Sequence, residues 1–229
     1  MPGVQHTQQS PRSIIDLVLS RHSTRAFLAK PVARSVIEQI LEISQRAPSN
    51  SNLQPWRVKV VTGKALERLS SALSSTFWSG TPNNTKPIPE IYNKYRSALG
   101  KQLYGPEGYD IPRNDEERTR RARMRNYQFF GAPCALMICI EQGLAEIDVL
   151  SIGMYLQTIC LLLSERGIST CVEASVAGYP QVVRQELGLR KDMIVLAGVA
   201  VGYEDRDHKI NHLKGQREAL ENNVEFLDD

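Results

Sequence analysis

The sequence lacks the short motifs that identify many nucleotide-using and hydrolytic enzymes. No G-x-G-x-x-G opens a helix, and Gly63-Lys64 has none of the other residues of a phosphate-binding P-loop. Any nucleotide must therefore bind without those glycine-rich cradles. The chain also has no G-x-S-x-G elbow, which argues against a serine hydrolase.

Cysteine is scarce, and its spacing is unlike that of metal or redox sites. The chain has four cysteines, all in apolar segments and without a C-x-x-C pair: Cys134, Cys139, Cys160 and Cys171. We therefore expect reduced thiols in the core and a cytoplasmic location. His208 and His212 are four residues apart but have no third ligand at metal-site spacing, so no metal site is predicted.

Strong net charge and long apolar runs are also missing. The formal net charge of +3 is too small to argue for a nucleic-acid partner. Five arginines lie between positions 118 and 125, after acidic residues 115–117, and their i,i+4 spacing favours an exposed helix, with anion or cofactor steering as the alternative. The longest strongly apolar stretches, 134–140 and 194–201, are shorter than the roughly 18 residues of a membrane span. Residues 1–12 contain no apolar signal region and are expected to form a loose arm.

The hydrophobic pattern predicts one α/β domain. A content of 41% hydrophobic residues in 229 positions is ordinary for a globular chain. Helices are predicted at 13–20, 33–46, 65–75, 115–130, 149–166 and 181–187, and strands at 56–61, 134–140, 169–173 and 193–202. A loop is predicted at 174–180 and a polar tail from 203. This alternation indicates an α/β (α+β) fold in which helices cover a mixed central sheet.

Two polar segments in the first quarter of the chain carry the strongest chemical signal. Residues 21–25, Arg-His-Ser-Thr-Arg, place two guanidinium groups and a hydroxyl at the end of a predicted helix. Arginine forks match phosphate oxygens, so this segment is suited to bind a phosphate group. Residues 48–56, PSNSNLQPW, form a donor-rich turn closed by proline and tryptophan.

Together with three later motifs, these segments resemble the nitroreductase family, and all five occur in the family's order. They are R-x-S-x-R at 21–25, P-S-x-x-x-x-Q-P-W at 48–56, F-G-A-P at 130–133, A-G-Y-P at 177–180, and V-G-Y at 201–203 followed by Arg217. The likeness extends along almost the whole chain and is closest to nitrobenzoate-type nitroreductases. It implies one domain over residues 1–229 with a nitroreductase-like fold, and an intertwined homodimer that holds FMN at the subunit interface.

The resemblance also implies which residues bind the cofactor. Arg21, Ser23 and Arg217 match phosphate and ribityl contacts, and Arg25 matches a basic residue beside the flavin ring. The turn at 48–52 matches the segment that in relatives reaches the partner's flavin, whereas Gln54 and Trp56 are expected to be scaffold. Asn126 falls near the pyrimidine edge, and the backbone of Ala177 and Gly178 is expected to face flavin N5. The implied cofactor-binding set is Arg21, His22, Ser23, Arg25, Pro48, Ser49, Asn50, Asn52, Asn126, Ala177, Gly178 and Arg217.

The expected activity is hydride transfer from NAD(P)H through FMN to nitroaromatic or quinone-like acceptors in a ping-pong cycle. Flavin N5 would carry the hydride, so no side chain is assigned as a catalytic acid or base.

Residues 77–112 are long for a passive connection and rich in aromatics, which indicates a substrate lid using Trp78, Tyr92 and Tyr95. Two alternatives remain open: a flavin-dependent enone reductase or reductive dehalogenase, for which Glu90, Tyr92 and Lys94 supply the residue types, and a non-enzymatic flavin-binding module.

Overall fold

A four-stranded sheet forms the centre of the computed structural model, which describes residues 12–228. Its strands are β1 (Arg57–Thr62), β2 (Cys134–Glu141), β3 (Ser169–Glu173) and β4 (Met193–Gly202), in the spatial order β1-β2-β4-β3. All three strand pairs are antiparallel, and parallel pairing occurs at the isolated bridge between Ser23 and Thr170. The predicted α/β fold is confirmed, with antiparallel pairing in the sheet itself.

Eight α-helices surround the sheet in the part of the chain that the structure describes. They are α1 (Ile14–Ser20), α2 (Arg34–Ser44), α3 (Gly63–Trp78), α4 (Asn93–Tyr104), α5 (Glu116–Met124), α6 (Glu146–Glu165), α7 (Ala174–Ala177) and α8 (Pro180–Leu187). Ser13 caps α1 as predicted, because its hydroxyl accepts the Asp16 N–H at 3.1 Å. The arm predicted for residues 1–12 lies outside the described residues except for Arg12.

Helices cover both faces of the sheet, and side-chain alternation along β2 explains why. Leu136 and Ile138 point toward α2 and α6, whereas Ala135 and Met137 point toward α3 and α8. A strand buried on both faces is a continuous apolar run, which is the pattern of residues 134–140.

The long apolar helix α6 packs on one face of the sheet. By length and composition it is the one helix among residues 12–228 that could cross a membrane. It buries Ile152, Tyr155, Ile159 and Leu163 against the sheet and α2, as a core helix of a globular domain does. The Tyr155 ring stacks on Trp56, with centroids 4.5 Å apart, so Trp56 belongs to the core scaffold.

Most predicted bounds agree with the structure to within three residues, and two places differ more. The helix predicted at 115–130 ends at Met124; the chain continues in turns to Gln128 and then through positive φ at Phe129 and Phe130, whose rings are buried. The predicted loop 174–180 contains the short helix α7 and the start of α8. Both differences arise where tertiary burial decides a local conformation.

Candidate functional site

Residues 21–25 leave α1 and run beside the edge strand β3. The Arg21 N–H donates to Leu17 O at 3.0 Å and ends α1, and the Thr24 N–H donates to Thr170 O at 3.0 Å. Successive side chains of extended backbone alternate between two sides, so Arg21, Ser23 and Arg25 share one side. The structure therefore brings the three predicted ligands of this segment together.

Arg21, Ser23 and Arg25 all act on the buried thiol of Cys171. Burial and the Glu173 charge raise the pKa of Cys171 to about 12, while the Arg25 and Arg21 charges and the nearby Ser23 side chain oppose this shift. The four cysteines are free and buried, as predicted, and burial raises the pKa of each thiol. None is therefore activated as a thiolate.

The His22 side chain joins the segment to the chain after β4. Its Nδ1 lies 3.0 Å from Ser20 O, and its Nε2 lies 2.9 Å from Glu204 Oε1. A cavity of about 560 Å³ opens here, lined by Arg21, His22 and Glu204. Both ring nitrogens of His22 lie within hydrogen-bond distance of protein oxygens. A cofactor contact of His22 would therefore come from its backbone, and it stays a prediction.

Asn211 fixes the backbone at Arg25 and was missed by sequence reasoning. Its Oδ1 accepts the Arg25 N–H at 2.7 Å, and its Nδ2 donates to Ala26 O and Asp205 O, each at 2.8 Å. Asn211 is buried. It lies 186 positions from Arg25 in the sequence, so no local motif could reveal this contact.

Glu173 and Tyr109 are two further groups near Arg25 that the sequence did not single out. The Glu173 carboxyl is buried at the end of β3, and this burial raises its pKa well above the ordinary value, with the Arg25 charge opposing. Burial also raises the pKa of Tyr109, against the charges of Arg125 and Arg25. Tyr109 belongs to the predicted lid, so the end of that segment reaches the Arg25 side of the molecule.

The loop with Ala177 and Gly178 is covered by the beginning of the predicted lid. Asn83 Nδ2 donates to Ser175 O at 2.8 Å, and the Asn84 N–H donates to Gly178 O at 3.0 Å. The Gly178 N–H donates to Ser175 O at 3.1 Å. A contact of the Ala177 and Gly178 backbone with a flavin stays a prediction.

The turn at residues 48–52 presents its polar side chains outward. Asn50–Asn52 is a single 3₁₀ turn with positive φ at Ser51 and Asn52, and the Asn50 N–H donates to the Ser151 hydroxyl of α6 at 3.2 Å. Pro48, Asn50 and Asn52 are exposed. Ser49 accepts the Gln54 N–H at 3.0 Å and stiffens the turn.

Asn126 and Arg217 form only local contacts among the described residues. Asn126 Nδ2 donates to Arg123 O at 2.9 Å. The exposed Arg217 guanidinium donates to Gly215 O and Gln216 O, at 3.0 and 3.1 Å. The phosphate role of Arg217 stays a prediction.

The three aromatics predicted to contact substrate lie in two separate groups. Trp78 ends α3 beneath the Arg120 guanidinium, whose central carbon is 4.4 Å from the ring centroid. Tyr92 and Tyr95 form a tilted pair 6.3 Å apart at the start of α4. Lys94 Nζ pairs with Glu218 at 3.2 Å, which ties this part of the lid to the C-terminal tail.

Comparison with known proteins gives a consistent result. A family profile described as "Nitroreductase family" matches residues 18–203. The chain is 33% identical over 215 residues to a 4-nitrobenzoate reductase of Pseudomonas putida, covering 92% of this chain and 94% of the relative. It is 32% identical to a nitrobenzene nitroreductase of Ectopseudomonas oleovorans, with 93% and 96% covered.

Solved structures give the same picture. The FMN- and NADPH-dependent nitroreductase NfnB from sphigopyxis sp. strain HMH superposes with a TM-score of 0.90 at 31% identity, covering 95% of this chain and all of that one. The FMN-dependent NfnB of Mycobacterium smegmatis, solved in complex with NADPH, gives a TM-score of 0.87 at 28% identity, with 93% and 97% covered.

Proposed function

The chain belongs to the nitroreductase family, and we propose that it transfers hydride from NAD(P)H through FMN to nitroaromatic or quinone-like acceptors in a ping-pong cycle. It is an FMN-dependent oxidoreductase. The observation that carries the proposal is the grouping of Arg21, Ser23 and Arg25 on one side of an extended segment fixed by Thr170 and Asn211. The four free, buried cysteines support a cytoplasmic location.

The donor set fits the chemistry of FMN. Arg21 and Ser23 would hold the phosphate and ribityl chain, because a guanidinium and a hydroxyl both donate to oxygen acceptors. Arg25 would lie beside the ring, where a fixed positive charge favours negative charge on the reduced cofactor. When bound, FMN supplies the hydride chemistry, and the protein supplies position and electrostatics.

We further propose that the active form is a homodimer in which each pocket uses both chains. Within one chain, the turn at 48–52 contacts Ser151 near the start of α6, whereas Arg21 lies beside Cys160 near its end, so the predicted donor set is divided. Large apolar side chains are exposed on α1 and on the first turn of α6: Ile14, Ile15, Val18, Leu19, Ile147, Val149 and Leu150. Several large exposed apolar side chains on one helix are typical of an interface.

A further partly apolar surface lies beside edge strand β1. A cavity of about 750 Å³ opens there between α2 and α3, and Val60 and Leu66 line it. In the C-terminal tail, Phe226 and Leu227 are exposed over 74% and 85% of their surface. A second copy of the chain would remove such groups from water.

Arg21→Ala tests the cofactor assignment. Loss of a charge-assisted contact worth roughly 1.5–3 kcal/mol should weaken FMN binding by about 10- to 150-fold. The affinity is measured by flavin fluorescence titration of the apoprotein. Arg68→Ala removes an exposed arginine of α3 and should leave it unchanged. Equal affinities of wild type and Arg21→Ala would refute the assignment.

A further inference from the structure

A basic groove lies between the C-terminal end of α4 and the polypeptide that follows β4. Its volume is about 440 Å³, and we call it the lysine groove after Lys101, Lys209 and Lys214, which line it. Glu107 is the one carboxylate among the lining residues in the described part of the chain. A concave surface with excess positive charge raises the local concentration of anions.

The lysines of this groove keep donors available for a ligand. Lys209 Nζ donates one hydrogen bond to Pro106 O at 3.1 Å, and an ammonium group has three donors. Over residues 12–228, the ammonium groups of Lys101 and Lys214 form no ion pair or side-chain hydrogen bond. Lys94, on the same helix as Lys101, is by contrast paired with Glu218.

Both walls of the lysine groove continue directly into residues beside Arg25. On the tail wall, Asn211 lies between Lys209 and Lys214, and its Oδ1 accepts the Arg25 N–H at 2.7 Å. On the lid wall, Tyr109 follows Glu107 by two residues and is packed where the Arg25 charge affects its hydroxyl. The groove is therefore adjacent to the proposed flavin segment.

We propose that the lysine groove binds the 2′-phosphate of NADPH and makes the enzyme prefer NADPH to NADH. The proposal rests on the proposed function, because that function places the nicotinamide at the flavin beside Arg25. A phosphate monoester carries nearly two negative charges near pH 7, whereas NADH has a neutral hydroxyl at the same position. Lysine offers a compact, mobile charge that suits such an exposed phosphate.

The FMN phosphate has the same chemistry and is the competing occupant. The 2′-phosphate is favoured because the groove is formed by exposed lysines, suited to a ligand that binds and leaves in each cycle. Arg21 and Ser23, in addition, already provide half-buried donors for the FMN phosphate on the β3 side. The two occupants are distinguished by measuring flavin and nucleotide binding on the same variants.

The decisive variant is Lys101→Gln/Lys214→Gln in the FMN-loaded enzyme. We expect kcat/KM for NADPH to fall at least about tenfold, the size of one charge-assisted contact, while kcat/KM for NADH changes less than about twofold. Added salt should weaken NADPH use more than NADH use in the wild type, and this difference should vanish in the variant. Lys191→Gln, an exposed lysine in the turn before β4, is the matched control and should behave as wild type.

A direct binding measurement completes the test. By calorimetry, wild-type holoenzyme should bind adenosine 2′,5′-bisphosphate more tightly than AMP, and the double variant should bind them equally. Equal losses with NADPH and NADH, or no loss with either, would overturn the proposal. Loss of FMN with an unchanged nucleotide preference would also overturn it and assign the groove to the flavin phosphate. If the wild type held no flavin and oxidised neither nucleotide, the proposed function itself would fail.

Discussion

At the scale of single residues, Glu173 is the most unusual group near the proposed flavin segment. Its side chain is 2% exposed, and neither carboxyl oxygen has a hydrogen-bond partner within the described residues. Burial disfavours the charged form and raises its pKa well above 4.5, and the nearby Ala200 N–H and Arg25 charge offset this only in part. The folded protein therefore keeps a proton that the unfolded chain has already released above about pH 4.5.

Glu173→Gln should change how stability depends on pH. In the wild type, the folded state binds more protons than the unfolded state, so the free energy of unfolding falls as pH rises from about 4.5 toward the raised pKa. The slope is at most about 1.4 kcal/mol per pH unit. Glutamine does not titrate, so the stability of the variant relative to wild type should increase over this interval in urea unfolding.

Glu67→Gln, an exposed glutamate of α3, provides the control and should follow the wild-type pH profile. A constant stability difference between Glu173→Gln and wild type from pH 4.5 to 8 would show that Glu173 is ionised in the folded protein.

Gly178 is the second residue with a defined constraint. Its φ of −72° suits any amino acid, so space and not conformation requires glycine. A Cβ there would overlap the side-chain amide of Asn83, whose Nδ2 donates to Ser175 O and to the Tyr127 hydroxyl. Alanine at this position must therefore displace Asn83.

Gly178→Ala should destabilise the protein by about 1–3 kcal/mol through the buried partners that it leaves unpaired. The same substitution in an Asn83→Ala background should cost much less, because the clash is already absent. Urea unfolding of the four proteins gives the coupling energy of this double-mutant cycle. Additive effects would show that the contact between these two residues does not govern the loop.

At the scale of elements, the segment predicted as a lid is two structures and not one. Its first part, up to Asn84, is hydrogen-bonded to the α7 region, and the Tyr179 hydroxyl donates to Thr81 O at 3.0 Å. Its second part is α4, which is joined to the tail through Lys94 and Glu218. The two parts are therefore held by different regions of the chain.

Tyr92→Ala and Tyr95→Ala should change acceptor preference without loss of flavin. Their rings are about half exposed, and a flat nitroaromatic ring could stack on them with roughly 0.5–1.5 kcal/mol per aromatic pair. We expect shifts of up to about tenfold in kcat/KM among acceptors at constant FMN content, and likewise for Trp78→Ala. Tyr95→Phe keeps the ring and should keep the wild-type preference. Flavin loss in all three alanine variants would make this segment structural.

The sequence predicted those elements whose burial follows a simple local pattern. The bounds of β3 and β4 agree with the prediction, because β4 is an apolar run and β3 is a short segment with β-branched Thr170 and Val172 that follows the turn at Gly167. The end of α5 was missed, since only packing of Phe129 and Phe130 stabilises their positive φ. Arg21, Ser23 and Arg25 were predictable from a five-residue motif, whereas Asn211 and Glu173 matter through contacts between distant parts of the chain.

At the scale of the whole molecule, the proposed donor set is divided between two surfaces. Arg21 and Arg25 lie along β3, and the turn with Asn50 and Asn52 packs on α6 through Ser151. Exposed apolar residues of α1 and α6 accompany both surfaces. If a second chain covers them, each flavin receives its arginines from one subunit and its asparagines from the other, and the dimer should not dissociate into stable monomers on dilution.

Mixed dimers test this division directly. Arg21→Ala and the double variant Asn50→Ala/Asn52→Ala should each bind FMN weakly as homodimers, because every pocket lacks one half of its donors. A heterodimer of the two, purified through different affinity tags, would contain one intact pocket and one with both defects. It should therefore bind about one FMN per dimer with wild-type affinity, measured by flavin absorbance and fluorescence titration. If each pocket were built from a single chain, both pockets of the heterodimer would be defective and no tight binding would return. A flavin-loaded monomer in analytical ultracentrifugation would contradict the shared pocket equally.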